Sequence, residues 1–200
     1  MNLVVYIDFK SPDARLALGP TQKLAEECGI TVDWRPYHLQ PRQRTGVANS
    51  KGAIHARVRT EYRRRERAFY ARQQNIRFVQ PTHDMESFVA NAGLLWACRE
   101  GLADAYVGDV FDRVWAGELD PASEVDVAAA LGRVGGASEG FHDYLLSEAQ
   151  HALDDVAAEA LERGAVNVPA YYVADDIYIG REHLPMIRWL LQGQSGDVPV

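Results

Sequence analysis

The feature that most constrains this chain is its opening, MNLVVYIDFKSPDARLA, where an apolar run passes directly into a polar turn and a helix start. Leu3, Val4, Val5, Tyr6 and Ile7 form the short unbroken apolar segment that a central parallel strand, buried on both faces, requires. Asp8, Phe9 and Lys10 lead out of it to Ser11-Pro12-Asp13. Serine is a good N-cap, proline suits the first helical position because it has no N–H to leave unpaired, and aspartate complements the positive helix end. Ser11 therefore reads first as a cap. The same position also puts a hydroxyl where backbone donors and a helix dipole converge, which opens a second, chemical reading.

The first helix extends to Cys28, with Gly29 as its C-cap and a kink expected at Gly19-Pro20. Residues 30–37 alternate as a second strand. Strand, helix and strand of this size make a parallel crossover unit, whose ligand sites fall at the carboxyl ends of the strands, where Ser11 lies. Residues 39–51 form a polar, cationic loop beside that end, and Arg42, Arg44, Asn49 and Lys51 are its candidates for holding an acidic substrate.

Residues 53–75 read as one long helix with Ile54, Val58, Tyr62, Phe69 and Tyr70 at near-helical spacing. Its seven arginines between positions 57 and 72 could mark a nucleic-acid surface, but Glu61 and Glu66 interleave with them and favour a solvated, salt-bridged face. His83 follows in a loop, either a surface histidine or an acid or base at the site mouth. Further helices are expected over 85–100, 103–116, 125–131 and 141–161, with their aromatic residues inward. Val168-Pro169 then returns the chain to the sheet, a hairpin of 170–174 and 177–179 turns on Asp175-Asp176, and Gly180 opens a closing helix over 182–191.

Composition narrows the function. A formal net charge of −7 disfavours a general nucleic-acid partner and gives no pull toward anionic membranes. No apolar run reaches a membrane span, and the start lacks a signal peptide's basic and apolar regions, so cytoplasmic residence is the default expectation. The two cysteines, Cys28 and Cys98, form neither a C-x-x-C pair nor a metal cluster and read as small core residues. The histidines show no ligand spacing, so no metal is expected. Glycine-rich nucleotide loops and a G-x-S-x-G serine are absent.

Asp8-Phe9-Lys10-Ser11-Pro12 with Leu16-Ala17, Gly29-Ile30-Thr31-Val32 with Trp34-Arg35-Pro36, Val168-Pro169, and Gly180 to Leu184 together resemble the thioredoxin-like DsbA superfamily. Within it, the match is to the branch with serine in place of the redox cysteine, the 2-hydroxychromene-2-carboxylate isomerases and kappa-class glutathione transferases. The resemblance implies an α/β thioredoxin-like, DsbA-like fold with a large all-helical insertion. The frame would occupy residues 1–52 and 164–192, the insertion 53–163, and a flexible tail 193–200.

The resemblance further implies a cis Val168-Pro169 bond and glutathione as cofactor. Glutathione would lie along Val168 like an added strand, with Arg181 and Glu182 at the helix end gripping its γ-glutamyl group. Ser11 would activate the glutathione thiolate toward a small aromatic or electrophilic substrate, in a homodimer. Thiol-disulfide exchange needs a protein thiolate that Ser11 cannot supply. The chain departs from the family in having Gln43, Ala53 and Ile54 where the isomerases place a lysine and an Asn-Arg pair, and Arg181-Glu182-His183 in the grip, with Arg15 as a replacement arginine. The resulting expectation is a glutathione-dependent isomerase; the alternatives are a kappa-like transferase and a non-catalytic DsbA-like binding protein.

Overall fold

The computed structural model describes residues 3–38, 51–79 and 84–199. Strands β1 (Leu3–Ile7), β2 (Val32–Pro36), β3 (Ala170–Val173) and β4 (Asp176–Ile179) form one sheet in the order β2-β1-β3-β4. β1 runs parallel to β2, pairing Leu3 with Val32 through Ile7 with Pro36, and antiparallel to β3, which pairs antiparallel with β4. The central place of β1 explains its lack of alternation, since all five of its residues are buried.

Helix α1 (Pro12–Cys28) starts as the sequence predicts: the Ser11 side chain accepts the Ala14 N–H at 3.2 Å, and Gly29 ends the helix at φ +63°. The helix runs through Gly19-Pro20 without a break. Pro20 has no N–H to give the Leu16 carbonyl four residues earlier. That carbonyl instead accepts the Gln74 side-chain amide at 3.0 Å, so a neighbouring segment supplies the missing donor.

Between β2 and β3 the chain forms α2 (Lys51–Gln73), α3 (Phe88–Arg99), α4 (Ala103–Ala116), α5 (Glu124–Arg133), α6 (Phe141–Ser147) and α7 (Ala149–Glu162). The single run expected over 141–161 is thus two helices, joined at Glu148. A short 3-10 turn, Arg181–His183, leads into α8 (Leu184–Leu191). Sheet and helices share one apolar core. Phe9, just past β1, packs its ring against Tyr106 and Phe111 and gives its carbonyl to the Trp115 indole N–H, which seats the strand end on α4.

Three further expectations are corrected. The hairpin turns on Ala174-Asp175, both at positive φ as a two-residue type I′ turn requires, and Asp176 pairs with Val173 inside the ladder. Cys98 is exposed on α3, with its thiol 3.9 Å from the Trp34 carbonyl, while Cys28 is half-buried against the core. The apolar stripe of α2 is exposed, with Ala71 its one buried residue among those described. Among the described residues no helix is long and apolar enough to cross a membrane.

Candidate active site

Ser11 closes the turn after β1. Its N–H donates to the Asp8 carbonyl at 2.8 Å, its carbonyl accepts the Arg15 N–H, and its side chain is almost wholly buried, so the turn fixes where the hydroxyl stands. The Oγ lone pair facing Ala14 N–H is occupied, whereas the hydroxyl proton has no acceptor among the described residues. Two residues on, Asp13 is held by Arg67 of α2 through paired hydrogen bonds of 2.8 and 2.7 Å.

Asp13 also lines a cavity of about 560 Å³ with Val168, Pro169, Gly180, Arg181 and Glu182 from the sheet side, and with Arg63, Glu66 and Tyr70 from α2. The Val168-Pro169 bond is cis, and the Pro169 carbonyl accepts the Gly180 N–H at 2.9 Å, joining the two segments. Gly180 takes φ +105°, a conformation that side-chain-bearing residues rarely adopt, so the position favours glycine, and the Glu182 carboxylate folds against it. The Arg181 guanidinium stacks on the Tyr70 ring, 3.6 Å from its centroid. Two arginines and three carboxylates, one of them already paired with Arg67, face this cavity. Such a lining suits a ligand that carries both an ammonium and carboxylates.

Four of the sequence-derived candidates, Val168, Pro169, Arg181 and Glu182, thus share one cavity, which opens beside the helix that Ser11 caps. Arg15 is a correction: it is buried against α4, its Nη2 2.5 Å from an Asp112 carboxylate oxygen, and it takes no place in the grip. Lys51 is exposed at the first residue of α2. Arg42, Gln43, Arg44, Asn49 and His83 lie outside the described residues.

The structure adds residues that the sequence reading missed. Tyr70, one residue of the apolar stripe of α2, walls the cavity. Asp8, fully buried at the end of β1, accepts hydrogen bonds from the Ser87 hydroxyl at 2.5 Å, the Asn91 amide at 3.2 Å and the Lys10 N–H at 3.3 Å. Ser87 therefore spends its hydroxyl on Asp8 rather than on capping α3. This ties the Ser11 turn to the helical part of the chain. Its sequence signals were an acid directly after a fully apolar strand, and Asn91 among the small and apolar residues of α3.

The family model of the DSBA-like thioredoxin domain matches residues 2–192. The chain belongs to that family. Among similar proteins is the 2-hydroxychromene-2-carboxylate isomerase of Pseudomonas putida, 28% identical over 185 residues that cover 92% of this chain and 90% of that protein. The isomerase of the same name from Pseudomonas sp. (strain C18) is 26% identical over 200 residues, covering 98% and 90%. A solved 2-hydroxychromene-2-carboxylate isomerase superposes with a TM-score of 0.78 at 26% identity over 97% of this chain and 96% of that one. A probable DsbA oxidoreductase from Streptomyces coelicolor shares the fold at a TM-score of 0.70 and 16% identity, covering 100% and 93%.

Proposed function

We propose that this protein is a glutathione-dependent isomerase of 2-hydroxychromene-2-carboxylate or a closely related conjugated aromatic acid. The observation that carries the reading is Ser11: a buried hydroxyl at the start of a 17-residue helix, its oxygen engaged by Ala14 N–H and its proton without an acceptor among the described residues. Isomerases that match this chain over nine-tenths of both lengths support the substrate class.

Bound glutathione would supply a sulfur nucleophile that adds to a conjugated carbon, permits rotation about the former double bond, and leaves unchanged. The chain's own part is to hold and prepare that thiol. Val168, before the cis proline, offers backbone to an extended peptide, Glu182 offers a carboxylate to an ammonium, and Arg63 and Arg181 offer guanidinium groups to carboxylates. Ser11 donates its hydroxyl proton toward the sulfur, and the α1 N-terminus adds its dipole, both favouring thiolate over thiol. Serine cannot form a mixed disulfide, so the same position that makes a DsbA-like oxidoreductase with cysteine makes an isomerase here.

The test is calorimetric titration of glutathione into the wild-type protein and Ser11→Ala, with thiolate absorbance followed against pH. Binding should lower the glutathione thiol pKa from about 8.5 by a unit or more, and Ser11→Ala should abolish most of that lowering while leaving binding nearly intact. No binding at millimolar glutathione would overturn the proposal.

A further inference from the structure

Asp13 and a sulfur held at Ser11 make opposite demands on one helix end. At the second position of α1 a carboxylate stabilises the helix, because it meets the positive N-terminal dipole and the unpaired N–H groups there. Ser11 caps the same end, and a thiolate held by its hydroxyl would draw on the same dipole. A carboxylate two residues away opposes a second negative charge and pushes a neighbouring thiol toward its neutral form. Left alone, Asp13 would undo part of what Ser11 and the dipole supply.

Arg67 removes that conflict. It donates through Nε and Nη2 to the two Asp13 oxygens at 2.8 and 2.7 Å, the fork geometry in which a guanidinium meets a carboxylate most strongly. The Arg67 side chain is 21% exposed and that of Asp13 37%, so solvent screens the pair only in part. Asp13 lines the cavity, whereas the guanidinium groups that line it belong to Arg63 and Arg181. The chain thus separates two tasks. Arg63 and Arg181 face the ligand's carboxylates, and Arg67 is committed to one of the chain's own. Glu66 and Glu182 face the same cavity, and Asp8 and Lys10 flank the Ser11 turn. Arg15, one helical turn beyond Ser11, is paired with Asp112. None of these groups is bonded to Asp13, so among the described residues Arg67 is its counter-charge.

We propose that Arg67 is a positioning residue for the reaction: by pairing with Asp13 it neutralises the carboxylate two residues from Ser11 and lets the glutathione sulfur carry its charge there. The inference rests on the glutathione reading of the site and adds the group that protects it. Arg67 acts through Asp13 and touches neither thiol nor substrate.

The experiment titrates the thiol of bound glutathione by its thiolate absorbance, with S-methylglutathione as the blank, in the wild type, Arg67→Met, Asp13→Asn and the double variant. Arg67→Met should raise the bound thiol pKa by about one unit, a roughly tenfold loss of thiolate at any pH below it. Asp13→Asn should lower the pKa, because Arg67 is left as an uncompensated positive charge, and the double variant should return it to near the wild-type value. A pair that merely latched α2 to α1 would give shifts of one sign from either single substitution, and that result would overturn the proposal. So would an Arg67→Met value equal to the wild type, or a double variant that stays at the Arg67→Met value. Should Arg67→Met fail to fold, Asp13→Asn decides: a lowered pKa supports the proposal and an unchanged or raised one overturns it. A wild type that binds no glutathione, or leaves its thiol pKa at about 8.5, overturns the glutathione reading and this inference with it. A lowered wild-type pKa that is indifferent to Arg67 and Asp13 overturns this inference alone.

Discussion

Helices α1 and α2 both carry apolar residues at helical spacing, yet one is built into the core and the other lies open. The 17 residues of α1 include eight buried ones, Leu16, Leu18 and Leu24 among them. In the 23 residues of α2, Ile54, Val58, Tyr62 and Phe69 are about half exposed or more, and Tyr70 is more than a third exposed. Periodicity defines a face; it does not say what the face meets. α1 follows β1 directly and must pack on the sheet that β1 centres. α2 is held instead by polar contacts: Arg64 and Arg65 on Glu61 within the helix, Arg67 on Asp13, and Tyr70 beneath Arg181. α2 therefore serves as one wall of the cavity.

The sharpest way to break this comparison is to truncate matched apolar residues. Leu24→Ala, at a fully buried position, should cost about 2–5 kcal/mol in denaturant unfolding, because the transfer energy and a residual cavity add. Val58→Ala, at 62% exposure, should stay within about 0.5 kcal/mol. A Val58 cost as large as that of Leu24 would show that the α2 face is covered in solution, and the contrast would fail.

The same contrast explains what was legible in the sequence. β1, the Ser11 cap, the Gly29 stop and the cis Val168-Pro169 segment are local or carried by the resemblance, and the structure bears them out. What escaped depends on contacts between distant segments. The lost donor of Pro20 is legible locally, whereas the Gln74 amide that replaces it comes from more than fifty residues away. Tyr70 and Asp8 were missed for the same reason: a stripe residue becomes a cavity wall, and a strand-end acid becomes a buried anchor, only once α2 and α3 are in place. The turn Ala174-Asp175 was missed by one residue because the run Ala-Asp-Asp allows two registers, and pairing across the hairpin chooses between them.

The seam between the two helices supplies the next test. Gln74→Ala removes the donor to the Leu16 carbonyl and should cost about 1 kcal/mol. Pro20→Ala restores an N–H to the helix ladder, and in that background the Gln74 substitution should cost close to nothing. The double-mutant cycle reads the coupling directly. Additive costs would mean that the amide does not stand in for the missing helical bond.

The smallest expected effect lies on the open face of α2 and tests whether charge holds that helix. Hydrogen bonds from Arg64 and Arg65 lower the Glu61 carboxyl pKa to about 2 from an ordinary 4.5. A carboxylate whose pKa is lower when folded adds stability that is fully present above its unfolded value and is lost as pH falls through the folded one. The difference in melting temperature between wild type and Glu61→Gln should therefore be flat from neutral pH down to about 4.5, then close as pH falls toward about 2. Because the pair is exposed, molar salt should shrink the difference at every pH. Titration of Glu61 by carboxyl NMR near the ordinary carboxylate value would show the arginine contacts to be absent in solution. That would leave Arg67 on Asp13 and Arg181 on Tyr70, the two contacts that face the cavity, as the ones holding α2.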